Sequence, residues 1–151
     1  MRPLEVCTST AYRDGQAGCG IVLRAAGEAA RVIRRTVRAG SRAEGAYRAL
    51  LHGLWRARGA GARRVRVVTD DPEVAEQLAA RADVPVELIG LYLQVRALLN
   101  AYRWRAVEYV PRERNAEAAL AALEALERSP LATDRDLEDE TFLPLFASLT
   151  I

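Results

Sequence analysis

The stretch Ala46–Leu78, AYRALLHGLWRARGAGARRVRVVTDDPEVAEQL, lays out a helix, a strand and a second helix in direct succession. Tyr47, Leu50, Leu51, Leu54 and Trp55 recur at helical spacing, so a helix capped by Ser41 and closed by Gly59 and Gly61 is expected. Arg63–Thr69 (RRVRVVT) has the β-branched density of a strand and delivers Asp70 to its C-terminal end. Asp71-Pro72-Glu73 then supplies an N-cap, a proline at the first helical position and an acid in the first turn. That second helix is expected to run to about Arg81.

Upstream, Leu4–Ser9 reads as a short strand, Asp14-Gly15 and Gly18 as a turn, and Cys19–Leu23 (CGIVL) as a second strand. Ala26-Gly27-Glu28 turns again into Ala30–Val37, a half-exposed third strand. Connections this short make the three strands antiparallel. Downstream, Asp83–Pro85 breaks the chain before a helix from about Leu88 to Tyr102. Trp104–Val110 alternates as a fifth strand, Pro111–Arg114 is a short loop, and Ala116–Arg128 is helical. The order βββαβααβα describes an α/β chain with a five-stranded mixed sheet flanked by helices.

The composition is that of an ordinary globular domain: 151 residues, 50% hydrophobic and 28% charged. No apolar run nears the roughly 18 residues of a membrane span, and the N-terminus has no signal-peptide pattern, so a cytoplasmic protein with no membrane partner is expected. Every basic residue is arginine. Residues 1–133 carry net charge +6, whereas residues 134–151 carry −4 from Arg135 against Asp134, Asp136, Glu138, Asp139 and Glu140. A basic body can attract phosphate backbones. Cys7 and Cys19 lack metal-ligand spacing; with a hairpin turn near Arg13 they can face one another, but buried thiols are expected in a reducing compartment. His52, without a Cys or Asp partner, reads as a plain helix residue. Tyr47, Trp55, Trp104 and Tyr109 fit core or strand positions at least as well as a base-stacking surface.

Three stretches together resemble the type 1 ribonuclease H family, in the branch without an extended basic handle. They are Arg13–Leu23 (RDGQAGCGIVL), Ser41–Leu78, and Val110–Ala119 (VPRERNAEAA). The resemblance covers roughly residues 4–128 and implies a ribonuclease H-like domain over 1–128 followed by an acidic-hydrophobic tail over 129–151. It also implies cleavage of the RNA strand of RNA–DNA hybrids by four carboxylates and two divalent ions. Two such ions, held roughly 4 Å apart, need several carboxylates to offset their repulsion.

The family's four acidic positions are filled unevenly here. An ungapped count back from Gly18 places the first at Cys7, and short deletions move it to Thr8 or Ser9; none is acidic. The second precedes the Tyr-x-Ala-Leu segment and is Ala46. Glu44 lies two residues earlier, about 200° around the helix, and reads as a first-turn charge favoured by the helix dipole. The third is Asp70. Its neighbour Asp71 should point to the opposite side and cap the next helix. The fourth, four residues after Asn115, is Ala119, while Glu117 sits on another part of the turn.

With Asp70 alone, at best a weak ligand for one Mg²⁺, the expectation is a catalytically inactive member, a pseudoenzyme without a cofactor. It would act as a nucleic-acid-binding or protein-interaction module. Arg13, Arg42, Arg48, Arg112 and Arg114 would flank the groove and grip RNA–DNA hybrid, single or double strands, although Arg42 and Ala43 replace asparagines that help grip nucleic acid in the family. The alternative is a Mg²⁺- or Mn²⁺-dependent hybrid ribonuclease with a rearranged site using Asp70, Glu44 and Glu5, or a carboxylate supplied by a partner. The 134–151 tail, acids followed by Phe142, Leu143, Leu145, Phe146, Leu149 and Ile151, would dock on its own domain, a homodimer partner or another protein. It could also fill the basic groove as a nucleic-acid mimic.

Overall fold

Asp14 and Gly15 both adopt positive φ, 48° and 79°. This is the geometry of a two-residue hairpin turn whose twist matches its strands. It lets β1 (Leu4–Arg13) run to the turn and β2 (Gln16–Arg24) begin straight after it. The computed structural model describes residues 2–128 and 137–143. β3 (Arg31–Arg38) leads to helix α1 (Arg42–Gly59), followed by β4 (Arg64–Thr69) and α2 (Pro72–Leu78). A single 3₁₀ turn (Val86–Leu88) opens α3 (Ile89–Ala101), β5 (Trp104–Tyr109) follows, and a second 3₁₀ turn (Arg112–Arg114) leads into α4 (Ala116–Arg128). The last described element is a strand, β6 (Leu137–Phe142).

The sheet order is β5-β4-β1-β2-β3-β6. β1 pairs in parallel with β4, and β4 with β5, while the β1–β2, β2–β3 and β3–β6 ladders are antiparallel. The expected α/β class holds, but the sheet has six strands rather than five. The acidic part of the tail supplies the extra one, on the outer edge of β3. Residues 129–136 and 144–151, with Phe146, Leu149 and Ile151 among them, lie outside the described residues.

Gly18 is not in the turn, as expected, but within β2. A Cβ there would overlap Ala122 O, and one at Gly20 would overlap Ala118 O. The glycines bring the alanine face of α4 (Ala118, Ala121, Ala122, Ala125) directly onto the sheet. On the other face, Tyr47, Leu50 and Leu54 of α1 pack with Val6, Ile21, Ile33, Val65 and Val67. Trp55, expected on that helical face, is 67% exposed. It lies about 100° beyond Leu54, outside the buried arc.

Helix α2 stops at Leu78, short of Arg81. Ala80 takes φ 59°, and the Arg81 amide closes back onto Glu76 O, a C-terminal cap that ends the turn. The two thiols do not face each other: Cys7 pairs with Val22 and Cys19 with Thr10, three rungs apart and therefore on opposite faces. Among the described residues, no helix is long and apolar enough to cross a membrane.

Candidate functional site

The β1–β4 ladder ends where β4 does, at Thr69, while β1 runs on to Arg13. Their parallel ladder pairs Cys7 with Val68 and Thr8 with Thr69. The next residues along, Ser9 and Asp70, therefore stand together at the end of this ladder. Of the three residues that the count from Gly18 offers for the first position, Ser9 is the one that stands beside Asp70. Cys7 lies one pleat repeat back, its thiol donating to Glu5 Oε1 at 3.2 Å. Burial, then the neighbouring Glu5 carboxylate, pushes that thiol far above the ordinary range, so it stays protonated.

Asp70 is buried. Asn115, at the start of α4, donates through Nδ2 to Asp70 Oδ2 (3.2 Å) and to Thr8 O (2.8 Å), joining α4 to both strands. The buried Ser9 hydroxyl faces Asp70 and favours its charged form, without closing a good hydrogen bond. Burial dominates and raises the Asp70 carboxyl above its ordinary pKa, against the opposing pull of Ser9, Asn115 and the Arg42 guanidinium.

Ala46 and Ala119, the residues expected at two other carboxylate positions, present methyl groups. Ala46 is buried in the α1 core, and Ala119 is buried on α4, its amide bonded to Asn115 O at 2.9 Å. The nearby acids serve other ends. The Glu44 amide is capped by Ser41 Oγ at 3.1 Å, and its carboxylate pairs with Arg48 at 3.2 Å. Asp71 caps α2 by accepting from the Val74 amide at 3.0 Å. Glu117 pairs with Arg24, whose guanidinium also lies 4.0 Å from Glu5. Among the described residues, no group of three His, Cys, Asp or Glu side chains is placed to hold a metal ion. One carboxylate, already bonded to an amide and facing an arginine, does not fit a pair of divalent cations.

Of the five arginines expected to flank the groove, Arg42 acts on Asp70 electrostatically, and Arg112 donates to Thr10 O at 3.3 Å, next to Ser9. Arg114 shares the 3₁₀ turn with Arg112 and is exposed. Arg13 is exposed at the hairpin, and Arg48 is occupied by Glu44. Tyr109 is 48% exposed at the end of β5, and Trp104 lies under the guanidinium groups of Arg64 (5.3 Å) and Arg66 (5.5 Å).

A second charged region lies at β6, where the acidic run meets arginines that sequence reasoning does not name as its partners. Alternation along the strand sends Glu138 and Glu140 to the α1 face and Asp139 to the α4 face. Glu140 meets Arg31 at 2.5 Å, and Glu138 meets Arg35 at 3.0 Å. Arg56 of α1 spans both, at 2.8 Å from Glu138 and 2.5 Å from Glu140. On the other face Asp139 pairs with Arg128 and lies 3.6 Å from Arg34. His52 Nε2 sits 2.5 Å from Glu138 Oε1, yet burial keeps its imidazole below the usual pKa. The available signal was the acidic run opposite an arginine-rich third strand.

The profile of a family described as reverse transcriptase-like matches residues 5–125. The chain is similar to ribonuclease H1 from the archaeon Halobacterium salinarum, at 23% identity and TM-score 0.75 over 85% of this chain and 100% of that one. It is similar to LC11 ribonuclease H1, solved with an RNA/DNA hybrid, at 18% identity and TM-score 0.71 over 83% and 97% of the two chains. The N-terminal ribonuclease H domain of Rv2228c from Mycobacterium tuberculosis matches at 28% identity and TM-score 0.70, over 82% and 98%. The whole of that protein, named bifunctional protein Rv2228c, is 34% identical over 93 residues. This match takes in 61% of this chain but 26% of Rv2228c, so the chain spans about a quarter of that relative's length. The family match extends from β1 through α4, the elements that meet at Asp70, and the chain belongs to the reverse transcriptase-like family, with the fold of type 1 ribonuclease H.

Proposed function

We propose that this chain binds nucleic acid at the Asp70 end of the sheet and does not cleave it. The observation that carries this reading is the donor set: Ser9 beside Asp70, and Ala46 and Ala119 expected at the other carboxylate positions, bring no charge, and Asp70 is tied to Asn115. Without that negative charge the site repels phosphate less, and Arg42, Arg112 and Arg114 offer guanidinium groups suited to phosphate oxygens. The solved complex of LC11 ribonuclease H1 makes an RNA–DNA hybrid the first ligand to test.

The test is fluorescence anisotropy with a labelled hybrid in EDTA across a salt series. Binding should weaken steeply with salt, and the double substitution Arg42→Ala/Arg112→Ala should reduce the log–log slope by roughly 2. Binding that is absent, or indifferent to both arginines, would overturn the reading.

A further inference from the structure

Among the described residues, the tail acids Glu138, Asp139 and Glu140 pair with arginines other than Arg42, Arg112 and Arg114. They occupy a separate basic face on the far edge of the sheet, built from Arg31 and Arg35 of β3 and Arg56 of α1. We propose that this face is a second site for a nucleic-acid backbone, which the chain's own strand β6 covers as a built-in competitor. The inference rests on the chain being a nucleic-acid binder, but it assigns a different surface and adds control over access.

Three features of β6 support this. Its carboxylates stand in for phosphates. Glu138 and Glu140 lie two residues apart on one face, roughly 7 Å along the strand, and are held by three guanidinium groups, with Arg56 bridging them. Guanidinium is the group that pairs in the same forked manner with carboxylate and phosphate.

The hold on β6 is also of a kind that a polyanion can replace. The strand has a ladder on one side only, against β3. Phe142 is 63% exposed, and the neighbouring Leu143, half-buried, is the apolar anchor among the residues described here. Beyond the backbone ladder, that apolar contact and a hydrogen bond from Arg34 to Thr141 Oγ1 (2.9 Å), the hold is ionic, and such pairs at a protein surface weaken as salt or a competing anion is added.

Finally, displacing β6 would leave its arginine partners without their carboxylates. With β6 displaced, Arg31, Arg35 and Arg56 would lie along one face of an edge strand, with Arg34 and Arg128 on the other side. Such a strip suits a repeating anion better than a single small one.

The experiment compares the full chain with the variant Glu138→Gln/Asp139→Asn/Glu140→Gln, binding a fluorescent single-stranded oligodeoxynucleotide. The variant should bind about tenfold more tightly at low salt, with a log–log slope steeper by about 2, as three further phosphate contacts require. Adding Arg31→Gln, Arg35→Gln and Arg56→Gln should remove the gain, whereas adding Arg42→Ala and Arg112→Ala should leave it intact. Equal affinity of the full chain and the carboxamide variant would overturn the second site. So would a gain lost through Arg42 and Arg112 but not through the β3 arginines, which would leave the Asp70-end reading standing. Loss of all binding in every variant would overturn both. Sedimentation provides a parallel readout: a dimer that dissociates on neutralising β6, with no gain in binding, would mean that the strand exchanges between copies and would overturn the proposal. If the triple variant unfolds by circular dichroism, Glu140→Gln alone should still give about a threefold gain.

Discussion

The two ends of charge in this molecule are built on opposite plans. At the Asp70 end, β1, β4 and the start of α4 converge, yet the buried Asp70 carboxylate is met by an amide, a hydroxyl and an arginine rather than by a cluster of acids. At the β3 edge, three successive acids meet five arginines from three elements. Convergence without charge gives a scaffold, and charge without a cavity gives a clamp. The fold keeps the first by backbone packing, whereas the second depends on side chains that salt can loosen.

The comparison breaks most sharply at the scaffold. Gly20→Val would force a side chain into Ala118 O and drive α4 from the sheet, at a cost of about 3 kcal/mol in urea denaturation. It should also separate Asn115 from Asp70. Asn115→Ala leaves Thr8 O and Asp70 without their shared donor, and should cost about 2 kcal/mol. The same change should raise the Asp70 pKa further, which a carboxyl ¹³C titration would read.

At the clamp, Arg56→Ala should cost about 1 kcal/mol at low ionic strength and less as salt is added. Its pH dependence has a definite sign. Arg31, with help from Arg56, holds Glu140 below the ordinary carboxylate range. The stabilisation is therefore present above the unfolded pKa and lost as pH falls through the lower folded value. The gap between wild type and Arg56→Ala should close in acid.

The smallest effect should come from Asp70→Asn. Because the folded pKa of Asp70 is raised, ionising this carboxyl costs stability as pH rises through that value. The amide avoids that cost, so the thermal midpoint at pH 7 should stay level or rise by about 1–3 °C, with the gain gone near pH 3.

The sequence displays some of this plainly. Helix α1 and the β4–α2 junction are legible because their signals are local: apolar spacing, Ser41 and Asp71 as caps, Pro72 at the first turn. The register of β1 is not local. Only the ladder from Thr8 to Thr69 decides that Ser9, and not Cys7, meets Asp70. Strand β6 is harder still, since LEDETF has neither the apolar alternation nor the β-branched density of a strand, and its partners lie far upstream in the chain. Gly18 of β2 reads as a turn residue because the helix that requires it is not its neighbour in sequence.

The most direct test of the central claim is cleavage itself. The purified 151-residue chain is incubated with an RNA–DNA hybrid in Mg²⁺ or Mn²⁺, beside the Asp70→Asn variant. The account predicts hybrid binding with no metal-dependent product above background, and no difference between the two proteins. Robust cleavage by the wild type that disappears in Asp70→Asn would contradict it.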